Sequence, residues 1–375
     1  GLARLGHAVV LVVDAEAAEN LLLLGSSVRM IVLGPGHLRG TLRLARVIRQ
    51  ERPDVTLSAL AAANVKHTLA ALIAGRRSRA ILSYHGYPAN EPQRLSQIGF
   101  ATLPVLSRLT SRTIAVSDGL LAFLRRAHAS GRRAVRIYNP VSIPTRAVRE
   151  DRPGQPGIVL AVGRLDRQKG HEVLLRAFAR LGRSDLRLMI LGEGPERARL
   201  TAEAARLGIA DRLDLPGYRE KPWQAYANAE CFVLPSQVEA FGLVLVEALA
   251  FGLPVVATDC DGPREIITDD RIGVLVPVGD AEALAVAMEG VLLERGEPAI
   301  RRERARVFSE DAAVARYDEL IAEVIAETEA RRPAALQLRA FAAASAAKTQ
   351  TIAAFCSIRL DKLRRMITNQ LPRAE

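Results

Sequence analysis

The chain has 375 residues, of which 49% are hydrophobic, with a formal charge of +11 and three cysteines. That length is too great for one small core and predicts two domains of ordinary size. No run of about 18 apolar residues is free of charges or Pro/Gly breaks, which leaves no candidate for a membrane-spanning helix. Cys231, Cys260 and Cys356 form neither a CxxC pair nor a Cys/His ligand set, pointing to a reducing compartment and away from a structural metal.

In chain order, short β-rich runs alternate with longer helical patterns, which predicts βαβ units and a parallel sheet in each half. The first half offers strands at HAVVLVV (7–13), SVRMIVL (27–33), DVTLSAL (54–60), RAILSYH (79–85), RTIAVS (112–117) and RIYNP (136–140). IPTRAVREDRPGQPG (143–157) mixes charge, Pro and Gly without an apolar period and reads as a linker. Strands then follow at GIVLAVGRL (157–165), LRLMILGEG (186–194), RLDLPGY (212–218), ECFVLPS (230–236), PVVATD (254–259) and GVLVPV (273–278). The expected organisation is two doubly wound, Rossmann-like α/β domains, residues 1–150 and 151–330, facing a cleft. A basic, Ala-rich tail over 331–375 completes the chain.

The charge is uneven. Residues 1–150 carry 21 Lys+Arg against 8 Asp+Glu, and residues 151–375 carry 31 against 33. The basic half is poor in aromatics, so stacking platforms for nucleic-acid bases are missing and no nucleic-acid partner is expected. Anionic lipid, a phosphate-bearing substrate, or simple solvation of surface arginines all fit it.

In an open α/β sheet, ligands bind beyond the carboxyl ends of the strands. The second-half loops there read GRLDRQKG (163–170), GEGPER (192–197), GYREKP (217–222), SQVEAFG (236–242) and DCDGPRE (259–265), a concentration of glycine and charge on one rim. Arg164 and Lys169 flank a turn closed by Gly170, after which HEVLLRAFARL opens a helix whose first amides can help bind a diphosphate. A surface pair on a turn is the plainer reading. The loop is not GxxxxGK[ST], so nucleoside triphosphate hydrolysis is not indicated.

GLVLVEALAF (242–251) is apolar on every face and reads as a buried helix ended by Gly252. It places Glu247 one to two turns inside and leaves Glu239 just before its N-terminus, where the helix dipole favours a carboxylate. Two ionised carboxylates can each accept from a pair of sugar hydroxyls. Pairing of Glu247 with an internal Arg and a capping role for Glu239 would satisfy the same spacing.

PSQVEAFGLVLVEALAFGLPVVATD, VGRLDRQKG, LGEGPER, CDGPREI and NPV (139–141) together resemble the family 4 retaining glycosyltransferases of the GT-B fold, over residues 1 to about 325. The resemblance implies that Arg164 and Lys169, with Gly163, hold the donor diphosphate, that Glu239 contacts the transferred sugar and that Glu247 binds the ribose hydroxyls. It implies donor contacts from the backbone amides of Phe241, Gly242 and Leu243, and places Gly217 and Tyr218 near the base. It implies no metal, with Arg and Lys neutralising the leaving nucleotide, so Asp259-Cys260-Asp261 is not a metal-binding DxD. His85 matches a position where relatives place a histidine near the donor sugar; a structural histidine is the alternative. Asn64 and Ser117 also follow strands and are expected to face the cleft.

The implied reaction moves a sugar from a nucleotide sugar, UDP-linked by preference, to a glycan or polyprenyl-linked acceptor, in the cytoplasm or at the inner face of the membrane. A UDP-sugar epimerase and a non-catalytic sugar-nucleotide binder are the alternatives. The family's opening strand and its glycine-rich loop have no counterpart before GLARLGHAVVLVV, so a gap or exposed edge is expected in the first sheet. Within the tail, Ile352, Phe355, Leu363, Met366 and Ile367 recur with Arg359, Lys362, Arg364 and Arg365 between them. The pattern over 351–371 predicts a basic amphipathic helix, packed on the protein or lying on an anionic membrane.

Overall fold

A computed structural model of the protein describes residues 1–15, 24–91, 93–127, 133–142, 155–330 and 351–356. It divides into two compact units, Gly1–Ile137 with Val314–Glu375, and Tyr138–Ala313.

The first unit is built on a wholly parallel sheet in the order β2-β1-β13-β3-β4-β5-β6. Its strands are β1 (Ala8–Val13), β2 (Arg29–Val32), β3 (Val55–Ala59), β4 (Ala80–Tyr84), β5 (Arg112–Ala115), β6 (Ala134–Arg136) and β13 (Thr351–Cys356). Runs such as Ala80–Tyr84, buried at every position, are what a parallel strand covered on both faces requires. On one side Val10, Val12 and Leu33 pack against Leu44, Ala45 and Ile48 of the His37–Glu51 helix. Elsewhere Val55, Ile81, Ile114 and Ile137 pack against Leu320, Ile321 and Val324 of the Glu310–Ala330 helix.

The second unit repeats the plan as β12-β11-β10-β7-β8-β9, again wholly parallel. These are β7 (Gly157–Val162), β8 (Leu186–Leu191), β9 (Leu213–Gly217), β10 (Ala229–Leu234), β11 (Val255–Thr258) and β12 (Val274–Val276). Numbered within the unit, that is the 3-2-1-4-5-6 order of dinucleotide-binding folds, whose strand order reverses between β7 and β10. Its core joins Val159, Leu188, Ile190 and Val233 to Leu174 and Phe178 of one helix and Leu284 and Met288 of another.

Three expectations are corrected. RIYNP is not a strand: β6 ends at Arg136, where its range begins. Pro140 cannot donate to a ladder, and Tyr138 packs tilted against Phe241 and edge-on against Phe308, with ring centroids 5.5 and 4.9 Å apart. That aromatic anchor also moves the boundary from near residue 150 to Tyr138, and residues 143–154 of the expected linker lie outside the described residues. Finally, 351–356 belongs to a strand and not to an amphipathic helix, because its backbone is claimed by ladders on both sides, to β1 and to β3. The tail is therefore not wholly separate from the first unit, and the expected gap in the first sheet is filled. Residues 357–371 lie outside the described residues.

Candidate functional site

The reversal point of the second sheet brings the loop after β7 beside the loop after β10, and the contacts between them are tight. Asp166 accepts a hydrogen bond from the Lys169 amide at 3.2 Å and caps the short turn Arg167–Lys169. Gly170 ends that turn at φ +66°, and a Cβ there would lie 2.0 Å from the carbonyl oxygen of Pro235, so only glycine fits. The Gln237 amide donates to the Gln168 carbonyl at 2.7 Å, fastening the loops together.

Across this seam Lys169 Nζ donates to Glu239 Oε2 at 2.6 Å, and Ser236 Oγ reaches the same oxygen at 3.3 Å. Both charged side chains are largely covered, at 21% and 15% exposure. An ammonium carries three donors, so the pair leaves Lys169 able to engage an anion as well. Arg164 faces solvent and pairs with Asp166 at 2.9 Å. The four charges nearly cancel, which leaves helix N-termini to tip the loop toward an anion. The His171–Leu181 and Leu243–Ala250 helices begin at Gly170 and Gly242, and no side chain caps either.

Glu247 lies in the middle of the Leu243–Ala250 helix, and no arginine among the described residues forms an ion pair with it. The Tyr226 hydroxyl donates to its Oε2 at 2.7 Å. Burial pushes the Glu247 carboxyl above its ordinary range, and the Tyr226 bond opposes the shift. Tyr226 itself is fully buried among Phe232 and Phe251. Sequence reasoning did not single out Tyr226; its aromatic signal is indistinguishable from that of a core residue.

Phe241 has its ring in the core at 2% exposure, so any ligand contact would come from its backbone. Leu243 and Tyr218 are exposed, at 42% and 64%. Gly217 closes β9 and accepts from the Gly192 amide at 3.0 Å; β9 stands two strands from β7, roughly 10 Å away. Gly163 follows β7 and donates to Leu191. Gly262, in the DCDGPRE loop, donates its amide to the Glu239 carbonyl at 2.9 Å, and a Cβ there would meet the Phe241 carbonyl at 2.1 Å. Asp259 is engaged by Arg264 Nε at 2.7 Å.

His85 belongs to the first unit, at the carboxyl end of β4, where Ser83 Oγ lies 3.0 Å from its Nε2. Asn64 and Ser117 do not present themselves to a cleft. Both are fully buried: Asn64 accepts from Ser58 and donates to the Ser83 carbonyl, and Ser117 caps the Asp118–Arg126 helix.

The family described as "Glycosyltransferase Family 4" matches residues 1–143, and "Glycosyl transferases group 1" matches residues 143–308. The chain belongs to glycosyltransferase family 4. Among curated relatives of this family 4 chain is the N-acetylgalactosamine-N,N'-diacetylbacillosaminyl-diphospho-undecaprenol 4-alpha-N-acetylgalactosaminyltransferase of Campylobacter jejuni. It is 36% identical over 159 residues, 42% of this chain and 43% of that one. The lipopolysaccharide core biosynthesis glycosyltransferase LpsE of Rhizobium meliloti is 28% identical over 75% of this chain and 79% of its own. The chain thus spans less than half of the first relative. Among solved structures, Anabaena Alr3699/HepE in complex with UDP and glucose superposes with a TM-score of 0.70 at 22% identity, over 84% of this chain and 91% of that one. That likeness concerns the fold, which is GT-B. No helix among the described residues is long and apolar enough to cross a membrane.

Proposed function

We propose that the protein transfers a sugar from a nucleotide diphosphate donor, UDP-linked by preference, to a glycan or polyprenyl-linked acceptor with retention of configuration. The setting is synthesis of a surface polysaccharide or glycoconjugate, in the cytoplasm or on the inner face of the membrane. The observation that carries this reading is the covered Lys169–Glu239 pair at the strand-order reversal, between two uncapped helix N-termini.

In this reading Glu239 faces the transferred sugar. Lys169 and Arg164 stabilise the charge that develops on the departing diphosphate, a role that grows in the transition state and so accelerates the reaction. Glu247, held by Tyr226, takes the ribose hydroxyls, while Gly217 and Tyr218 bound the base. The amides of Phe241, Gly242 and Leu243 complete the donor contacts, and Gly163 lets the first loop approach. The relatives' printed names, one an undecaprenol-linked N-acetylgalactosaminyltransferase and one a lipopolysaccharide core enzyme, support a lipid-linked or glycan acceptor.

Incubation with UDP-sugars, with and without lipid-linked glycan acceptors, tests the reading. Transfer of the sugar to an acceptor with its anomeric configuration kept is the expected result. Conversion of the donor to an epimer without acceptor, or binding with no turnover, would replace it. Contact with the membrane is read by co-sedimentation with anionic and neutral vesicles at low and high salt; absence from anionic vesicles at low salt removes the membrane from the proposal.

A further inference from the structure

Phe241 stands in the loop after β10, two residues past Glu239 and directly before Gly242, where the Leu243–Ala250 helix opens. Its buried ring is met by two others. Tyr138 lies tilted against it and Phe308 edge-on, each at 5.5 Å between centroids, and Tyr138 meets Phe308 edge-on at 4.9 Å. All three residues belong to the second unit, which the chain enters at Tyr138 and leaves after Ala313. The Val141 amide donates to the Phe308 carbonyl at 2.9 Å, so the entering and leaving segments are pinned to each other as well as to Phe241. The Arg304 guanidinium covers the Phe308 ring at 4.9 Å from its centroid, and its Nε donates to the Ile266 carbonyl at 2.9 Å, at the end of the Asp261–Ile266 helix. Near the start of that helix Gly262 backs onto the Phe241 carbonyl and donates to that of Glu239. Phe241 is thus held through its ring by Tyr138 and Phe308, and through its peptide by Gly262.

We propose that Tyr138 and Phe308 are positioning residues for the transfer reaction: their rings fix the Phe241 ring and, through it, the peptide run from Glu239 to Leu243. The inference rests on the reading of that run as a contact of the donor, and adds two residues that act on it through Phe241. Aromatic rings hold orientation as well as volume, because their pairs favour edge-on and offset arrangements. A close-packed interior passes a shift on to its neighbours instead of absorbing it. The loop after β10 therefore takes its position from the residue at which the chain enters the unit and from one close to where it leaves. A displacement of about 1 Å at such a loop can cost roughly 100-fold in rate by misaligning the reacting groups.

Tyr138→Leu in the full chain, which keeps an apolar side chain and removes the ring, tests it. The Gly262, Leu245 and Val246 amides donate to the carbonyls of Glu239 and Gly242. Their hydrogen exchange is expected to quicken at least about 10-fold, while that of Leu174, on the His171–Leu181 helix, stays unchanged. Transfer kcat is expected to fall at least about 10-fold, with UDP affinity in calorimetry changed less than about threefold. Tyr138→Phe is expected to restore both. Unchanged exchange at the three amides would overturn the positioning role, as would faster exchange with kcat intact. A loss that Tyr138→Phe does not restore would assign the effect to the hydroxyl and overturn the account from the rings. Failure of the site reading itself shows separately, as Glu239→Ala transferring like the parent, and the exchange result then still decides whether the rings fix the loop. Should the leucine variant unfold, Tyr138→Met is read in the same way.

Discussion

Glu247 shows how a carboxylate is kept inside an apolar helix. Tyr226 satisfies one oxygen at 2.7 Å, and burial raises the carboxyl above its ordinary range. Hydroxyl pairs are accepted best by the ionised form, so UDP affinity is expected to rise as pH climbs through the raised value. Glu247→Gln should flatten that part of the pH profile in calorimetry. The stability sign is opposite: in that window the folded chain holds a proton that the unfolded chain has lost, so stability falls as pH rises. Glu247→Ala is expected to weaken UDP binding by about 1.5–3 kcal/mol, the worth of a charge-assisted hydrogen bond. Glu239→Ala should instead leave UDP binding near the parent's and depress transfer. Equal UDP binding by both variants would reject the ribose assignment.

At the scale of elements, the candidate site is a set of loops fastened to one another by their own backbone hydrogen bonds. Lys169→Ala removes a cation from the loop after β7, and kcat is expected to fall by about 10²-fold, the usual cost of losing one donor to a developing anion. EDTA should cost far less; activity abolished by EDTA and restored by manganese would refute a metal-free mechanism. Gly262→Ala forces a methyl against the Phe241 carbonyl and is expected to cost roughly 1–3 kcal/mol in thermal unfolding, with transfer falling alongside because the same loop carries Glu239. Ten of the strands fall within the runs named from the sequence, and β10 begins one residue ahead of its run, because strands of a covered parallel sheet are written largely as apolar segments. The helix from Leu243 to Ala250 was readable for the same reason. What the sequence hid was pairing. The Lys169–Glu239 contact joins loops that are adjacent only through strand order, and the Glu247–Tyr226 bond joins two helices. Thr351–Cys356 misled because a six-residue apolar segment beside cations fits either period until its neighbours are known.

For the whole molecule, each unit buries a neutral histidine. His67 lies among Thr56 and Ser58 with its pKa lowered to about 3 by burial, and His171 is lowered to about 4, mainly by burial. The unfolded chain binds protons at both positions below its ordinary value of 6.5, while the folded chain does not. Stability is therefore expected to drop as pH falls from 6.5 toward 4, by up to about 1.4 kcal/mol per pH unit for each histidine. Urea unfolding followed at pH 7.5, 6 and 5 measures it, and His171→Asn should flatten the slope for the second unit alone. A flat profile in the unaltered chain would reject the account.

The placement of β13 also sets an order of events during synthesis. The second unit, Tyr138–Ala313, is contiguous and can finish folding as soon as it leaves the ribosome. In the first, β3 pairs with a strand that is made nearly three hundred residues later. At ordinary elongation rates that delay is about 15–60 s. Closure of β3 on this side thus follows completion of the second unit, whose residues are made in between.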